Sequence, residues 1–272
     1  MRKRIIIFLL LLSGLTMASK RHELRPHLVD STANTGAAII ICPGGSYSWL
    51  CMKEEGEEVA QWLNQQGINA FILPYRVATI PAYIFGFRVL GLGHKYPDML
   101  IDTENALQWL YLHADSLRID TTKIGVMGFS AGGHLAMMSY LYNRTDYKPT
   151  FLCSIYPVVT MSSKDAHKRS RRGALGVWRQ WNKTMQDSLS IEKHVTNDCP
   201  PVFLANCKDD PVVQYHNSEL LDSALTAEGV PHRYILYQTG GHGFGASLVK
   251  GSEEARQWKN EFVNWLKTTI YD

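Results

Sequence analysis

The chain has 272 residues, 45% hydrophobic and 19% charged, which excludes intrinsic disorder and leaves ample material for a buried core. Its formal net charge of +3 comes from Arg2, Lys3 and Arg4; without them 25 basic residues face 25 acidic ones. A neutral remainder lacks the basic footprint that general nucleic-acid binding needs.

Residues 1–18 read as a secretory signal peptide, so the expected location is secreted or periplasmic. Arg2-Lys3-Arg4 precedes an apolar run over 5–12, and smaller residues close the segment at Ala18. The run is too short to span a bilayer, and no stable membrane insertion is expected once the signal is removed. The expected mature chain, 19–272, is one α/β domain.

From there, short apolar runs alternate with amphipathic stretches. Strands are expected at 37–42, 69–75, 123–129, 151–157, 202–207 and 232–237, and helices at 54–66, 96–114, 131–143, 217–228 and 253–269. The strands are continuously apolar, as strands covered on both faces are. The alternation predicts a mostly parallel central sheet with helices on both faces. Two stretches interrupt it. Residues 78–95 are rich in apolar side chains, and 158–200 are polar and basic, with Trp178 and Trp181. Both are expected as lid-like insertions near the C-terminal strand ends, where such folds bind ligands. The five cysteines match no metal-binding spacing, and no metal or organic cofactor is expected.

The chemistry is expected at four loops. Gly128-Phe129-Ser130-Ala131-Gly132 joins a strand to a helix, the context of a G-x-S-x-G nucleophile elbow. A serine hydroxyl needs a base to attack at neutral pH. Gly241-His242-Gly243 follows the last strand and supplies His242. A carboxylate must orient that imidazole, and the loop after the preceding strand offers Asp210 first and Asp209 as the fallback. The oxyanion hole requires backbone N–H groups: one from Ala131, the other from Gly45 or, second, Gly44 in Pro43-Gly44-Gly45-Ser46-Tyr47. Ser46, Tyr47 and Trp49 are the candidates for substrate contact. His134, one turn along the elbow helix, reads as packing. The basic run at 168–172 reads as a solvated face.

These motifs, with Tyr75-Arg76 and Asp209-Asp210-Pro211-Val212-Val213, resemble the α/β-hydrolase superfamily from residue 37 to the C-terminus. The nearest branch is that of secreted bacterial carbohydrate esterases of the acetylxylan and feruloyl type, related to hormone-sensitive-lipase-like esterases. Where lipase-like relatives often carry His-Gly-Gly-Gly, this chain has Pro43-Gly44-Gly45-Ser46. The resemblance implies a serine carboxylesterase acting through an acyl-enzyme, with a small-molecule or polysaccharide ester as substrate and xylan acetate as the expected case. The alternatives are a prolyl-oligopeptidase-like serine peptidase, whose relatives usually carry a large extra N-terminal domain, and a non-catalytic carbohydrate-binding module on the same fold.

Overall fold

The computed structural model describes residues 23–78 and 93–271. The signal-peptide expectation and most of the first insertion lie outside them. Among the described residues seven strands form one sheet: β1 Arg25–His27, β2 Ala38–Cys42, β3 Asn69–Ile72, β4 Ile124–Phe129, β5 Phe151–Ile155, β6 Val202–Cys207 and β7 His232–Tyr237. Their order is β1-β3-β2-β4-β5-β6-β7; β1 runs antiparallel to β3 and all other pairs are parallel.

The helices are α1 Glu58–Gln65, α2 Asp98–Leu117, α3 Ala131–Leu141, α4 Lys168–Arg179, α5 Lys183–Ser188, α6 His216–Ala227, α7 Glu253–Arg256 and α8 Trp258–Thr269. The period-two pleat divides each buried strand between two apolar layers. In β2, Ala38, Ile40 and Cys42 point toward Leu107 of α2, Leu135 of α3 and Leu221 of α6. Ile39 and Ile41 face the other way, toward Val59 and Leu63 of α1 and Trp258 and Phe262 of α8. Helix α3 sits so deep that Ala131 through Ser139 are all buried.

Four elements differ from the sequence expectation. Strand β1 is a three-residue polar edge containing Pro26, with no apolar run to mark it; proline is tolerated where one side of the ladder is unpaired. The helix expected at 54–66 begins as a π-turn at Lys53–Glu57 before α1. The closing helix is divided at Gln257: the Ser252 side chain caps α7 by accepting from Ala255 N, and α8 starts at Trp258. The stretch 158–200 carries α4 and α5, where no helix was expected individually.

Register sets the C-terminal strand ends side by side. Cys42 pairs with Gly128, Phe129 with Ile155, and Cys207 with Tyr237. The chain therefore leaves β2, β4, β6 and β7 along one rim, and the four loops singled out above meet there.

Candidate active site

Ser130 occupies the turn between β4 and α3 with φ 53° and ψ −119°, a conformation that costs a non-glycine residue about 1–3 kcal/mol. Close packing holds it there. Its N–H donates to Ile155 O at 3.0 Å, and its carbonyl accepts from Val158 N at 3.1 Å and His134 N at 3.2 Å. The flanking glycines are required by contact distance. A Cβ on Gly128 would lie 2.0 Å from Gly132 O, and one on Gly132 would lie 1.9 Å from Cys42 O.

The His242 side chain reaches Ser130 from the loop after β7. Its Nε2 is 2.9 Å from Ser130 Oγ, and its Nδ1 is 2.6 Å from Asp210 Oδ2. A carboxylate can only accept there, so Nδ1 carries the proton and Nε2 is left to accept from the serine hydroxyl. Asp210 is itself fixed: its Oδ1 accepts from Val212 N at 2.8 Å and Val213 N at 2.9 Å. Asp209 has a different task. Its carboxylate accepts from Gly240 N at 3.2 Å and Gly241 N at 2.8 Å, tying the β6 loop to the loop that carries His242. The two adjacent aspartates thus hold the imidazole and its backbone respectively.

The loop after β2 is pinned at successive residues. Pro43 O accepts from the Tyr75 hydroxyl at 2.6 Å, and Gly44 N donates to Glu55 Oε2 at 2.7 Å. Gly45 has φ 135°, and a Cβ there would lie 2.1 Å from Trp49 O, so only glycine fits. Among the described residues the N–H groups of Gly45 and Ala131 have no protein acceptor. They are the donors left beside Ser130. Gly44 is corrected as an oxyanion candidate, because the Glu55 carboxylate already occupies its N–H.

One of the expected substrate contacts is also corrected. Tyr47 is 0% exposed, and its hydroxyl lies 2.7 Å from His134 Nδ1. His134 Nε2 donates to Leu189 O at 2.8 Å, so Nδ1 accepts from the tyrosine, and burial pushes this imidazole down to about 4. The pair is an internal strut, in keeping with a packing role for His134. Ser46 is 6% exposed, as enclosed as Ser130 at 4%, and its carbonyl packs against Gly173 of α4. Trp49 alone of the three is half-buried at the rim.

The residue that sequence reasoning missed is Glu55. Its side chain is buried at the π-turn and bridges the site's two glycine loops. One oxygen holds Gly44 N and the other accepts from Tyr156 OH at 2.9 Å. Tyr156 OH in turn accepts from Gly245 N at 2.8 Å, and the Tyr156 ring lies 4.6 Å from the His242 ring. Burial raises the Glu55 carboxyl above its ordinary range, opposed by His242 and by the hydrogen bonds from Gly44 and Tyr156. A signal was present: Glu55 lies four residues before Val59 on the apolar face of a helical pattern, where an acid is out of place. His167 was also missed. It bonds Ser170 Oγ at 2.8 Å, and burial, then the charges of His242 and Arg169, push it down to about 4.

Comparison with known proteins adds a second line. The model of the family described as BD-FAE matches residues 30–225. An acetylxylan esterase of Xylanibacter ruminicola is 30% identical over 239 residues, covering 86% of this chain and 46% of that protein. An endo-1,4-beta-xylanase B of Butyrivibrio fibrisolvens is 30% identical over 221 residues, covering 75% of this chain and 32% of that one. The chain therefore spans less than half the length of these two relatives. Among solved structures, the acetyl ester-xyloside bifunctional hydrolase from Caldicellulosiruptor lactoaceticus aligns with a TM-score of 0.76 at 31% identity, over 90% of this chain and 87% of that one.

Proposed function

Because the chain belongs to the BD-FAE family and carries the α/β-hydrolase fold, we propose that it is a serine carboxylesterase that removes acetyl or other small acyl groups from a plant polysaccharide such as xylan. One observation carries this reading: the unbroken hydrogen-bond relay from Asp210 through His242 to Ser130, on a strained turn at the sheet's rim. The names of the xylan-directed relatives support the choice of substrate.

In the proposed reaction, His242 Nε2 takes the Ser130 proton as Oγ attacks the ester carbonyl. The carbonyl oxygen becomes an oxyanion facing Gly45 N–H and Ala131 N–H. Each such donor is worth about 3 kcal/mol in the transition state. Asp210 stabilises the imidazolium through Nδ1–H. Collapse expels the alcohol, which receives the proton from Nε2, and leaves an acyl group on Ser130. Water, deprotonated by the same imidazole, attacks the acyl-enzyme, and the second collapse returns the proton to Ser130 and releases the acid. No step calls for a metal or organic cofactor. Trp49 is proposed to border the bound ester. Residues 1–18 are proposed to direct export; N-terminal sequencing of protein recovered outside the cytoplasm would find a start near residue 19.

The test compares wild type with Ser130→Ala on acetylated xylan and on 4-nitrophenyl acetate. Acetate release from both, lowered by at least about 10⁴-fold in the variant, is the expected result. Turnover of the aryl ester alone would keep the serine mechanism and discard xylan. A folded wild type that turned over neither would end the esterase reading.

A further inference from the structure

The segment that begins the second insertion places an unbalanced set of cations beside the loop that carries Asp210. Lys164, Lys168 and Arg169 are exposed, and none of them has an ion-pair partner among the described residues. With His167 they line one wall of an open cleft of about 500 Å³, whose other wall includes Pro211 and Val212. Those two residues follow directly on Asp210, and Val212 N is one of the donors that fix its carboxylate. The cleft thus adjoins the loop that carries Asp210, and its His167 ring is near enough to His242 and Asp210 to feel their charges.

A second contact ties the same wall to the oxyanion side. The Arg169 guanidinium carbon lies 5.7 Å from the centroid of the Trp49 ring, and Trp49 O packs against Gly45. Four residues on, Gly173 seats α4 on Ser46 O. Arg169 is therefore held beside the Gly45 loop by the fold. The acid among the lining residues, Asp165, offsets one charge of the three. His167 adds no charge at neutral pH, since its ring is pushed down to about 4. What remains is a positive field at the mouth of a site whose proposed substrate is a saccharide ester. Exposed cations of one sign beside a cleft raise the local concentration of an anionic ligand.

We propose that this cleft binds the carboxylate of a uronic acid residue in the saccharide whose ester meets Ser130. This rests on the esterase reading and narrows its substrate class to acidic, uronic-acid-bearing oligosaccharides. Arg169 offers the carboxylate a planar two-donor fork, the geometry best matched to it, while its own face lies over Trp49. Lys164 and Lys168 add mobile point charges.

Binding is measured by calorimetry on full-length Ser130→Ala, which keeps the ligand intact whether or not the wild type is an esterase. The probes are a xylo-oligosaccharide bearing one glucuronic acid branch and the same compound with that carboxyl reduced to the alcohol. The acidic probe is expected to bind at least about 10-fold more tightly. The gap should close as sodium chloride rises from about 20 mM to about 500 mM. It should also close in the triple variant Ser130→Ala/Lys168→Gln/Arg169→Gln, whose fold is checked by its thermal midpoint. Should that variant fail to fold, the salt series on Ser130→Ala decides by itself. Equal affinity for the two probes, absence of binding by both, or a gap indifferent to salt would overturn the proposal. Wild-type turnover of 4-nitrophenyl acetate is followed separately. Its failure would end the esterase reading, while the calorimetry would still judge the cleft.

Discussion

Asp210→Asn is the sharpest single-atom test of the relay. The amide oxygen can still accept from Val212 N and Val213 N, so the loop should keep its shape and the thermal midpoint should move little. An NH2 facing Nδ1 favours the tautomer with its proton on Nε2, which cannot accept from Ser130. The expected result is a fall in kcat of roughly 10⁴-fold with little change in KM. A loss below tenfold would mean that Asp210 does not govern the imidazole. Glu55→Ala makes a different prediction. It leaves Gly44 N–H without its acceptor and frees Tyr156 OH, loosening both glycine loops at once. A misplacement of about 1 Å costs about 10²-fold in rate, so kcat should fall by that order, with partial recovery in Glu55→Gln. Unchanged kcat in Glu55→Ala would show that the loops hold without it. The meeting of Ser130, His242 and Asp210 was legible because each sits in a short glycine- or proline-bearing loop that follows a strand. Glu55 was not, because its partners lie in the chain as far away as Tyr156. Tyr47 misled because its position beside Gly45 suggests an open site, while φ 57° turns its ring inward onto His134.

At the scale of elements, α4 and the loop after β2 form one packed unit. The seam is Gly173, where an added Cβ would lie 2.1 Å from Ser46 O and 2.9 Å from Tyr47 Cβ. Gly173→Ala must lift the helix from the loop. Overpacking of this kind typically costs about 1–3 kcal/mol, and here the displaced loop also presents Gly45 N–H. Gly173→Ala should therefore lower both the urea midpoint and kcat; a stability loss with kcat intact would place the seam outside the site's control. The strands buried on both faces were legible to within a few residues, since continuous apolar runs bounded by glycine and proline leave few readings. β1 and α4 were not. β1 has three residues, and its pairing with β3 is set by the sheet edge. α4 is strongly basic, is kinked at Gly176 with φ 80°, and builds its buried face largely from the small residues Ser170, Gly173, Ala174 and Gly176, so few large apolar side chains mark it in the sequence.

For the molecule as a whole, the buried His134 makes stability depend on pH in one direction. Its folded value is about 4, below the ~6.5 of an unfolded histidine. Between those values the unfolded chain binds the extra proton, so this contribution is complete above about pH 6.5 and is lost as pH falls toward 4. The shift corresponds to about 3 kcal/mol at most. Urea midpoints should fall from pH 7 to pH 4.5, and the decline should be shallower in His134→Gln; parallel declines would remove His134 as the cause. The same sheet that hides this ring also sets when chemistry becomes possible. Gly245 O accepts from Trp258 Nε1 at 2.9 Å and Ala246 N donates to Glu54 O at 3.0 Å, so the segment bearing His242 is clasped between an early turn and the final helix. A chain emerging from the ribosome carries Ser130 into the open long before Trp258 has appeared. Until α8 closes on the sheet, the proposed base is not held against that hydroxyl. In the proposed reaction turnover is thus withheld until α8 has docked, and its regain on refolding should report that docking rather than the first collapse of the core.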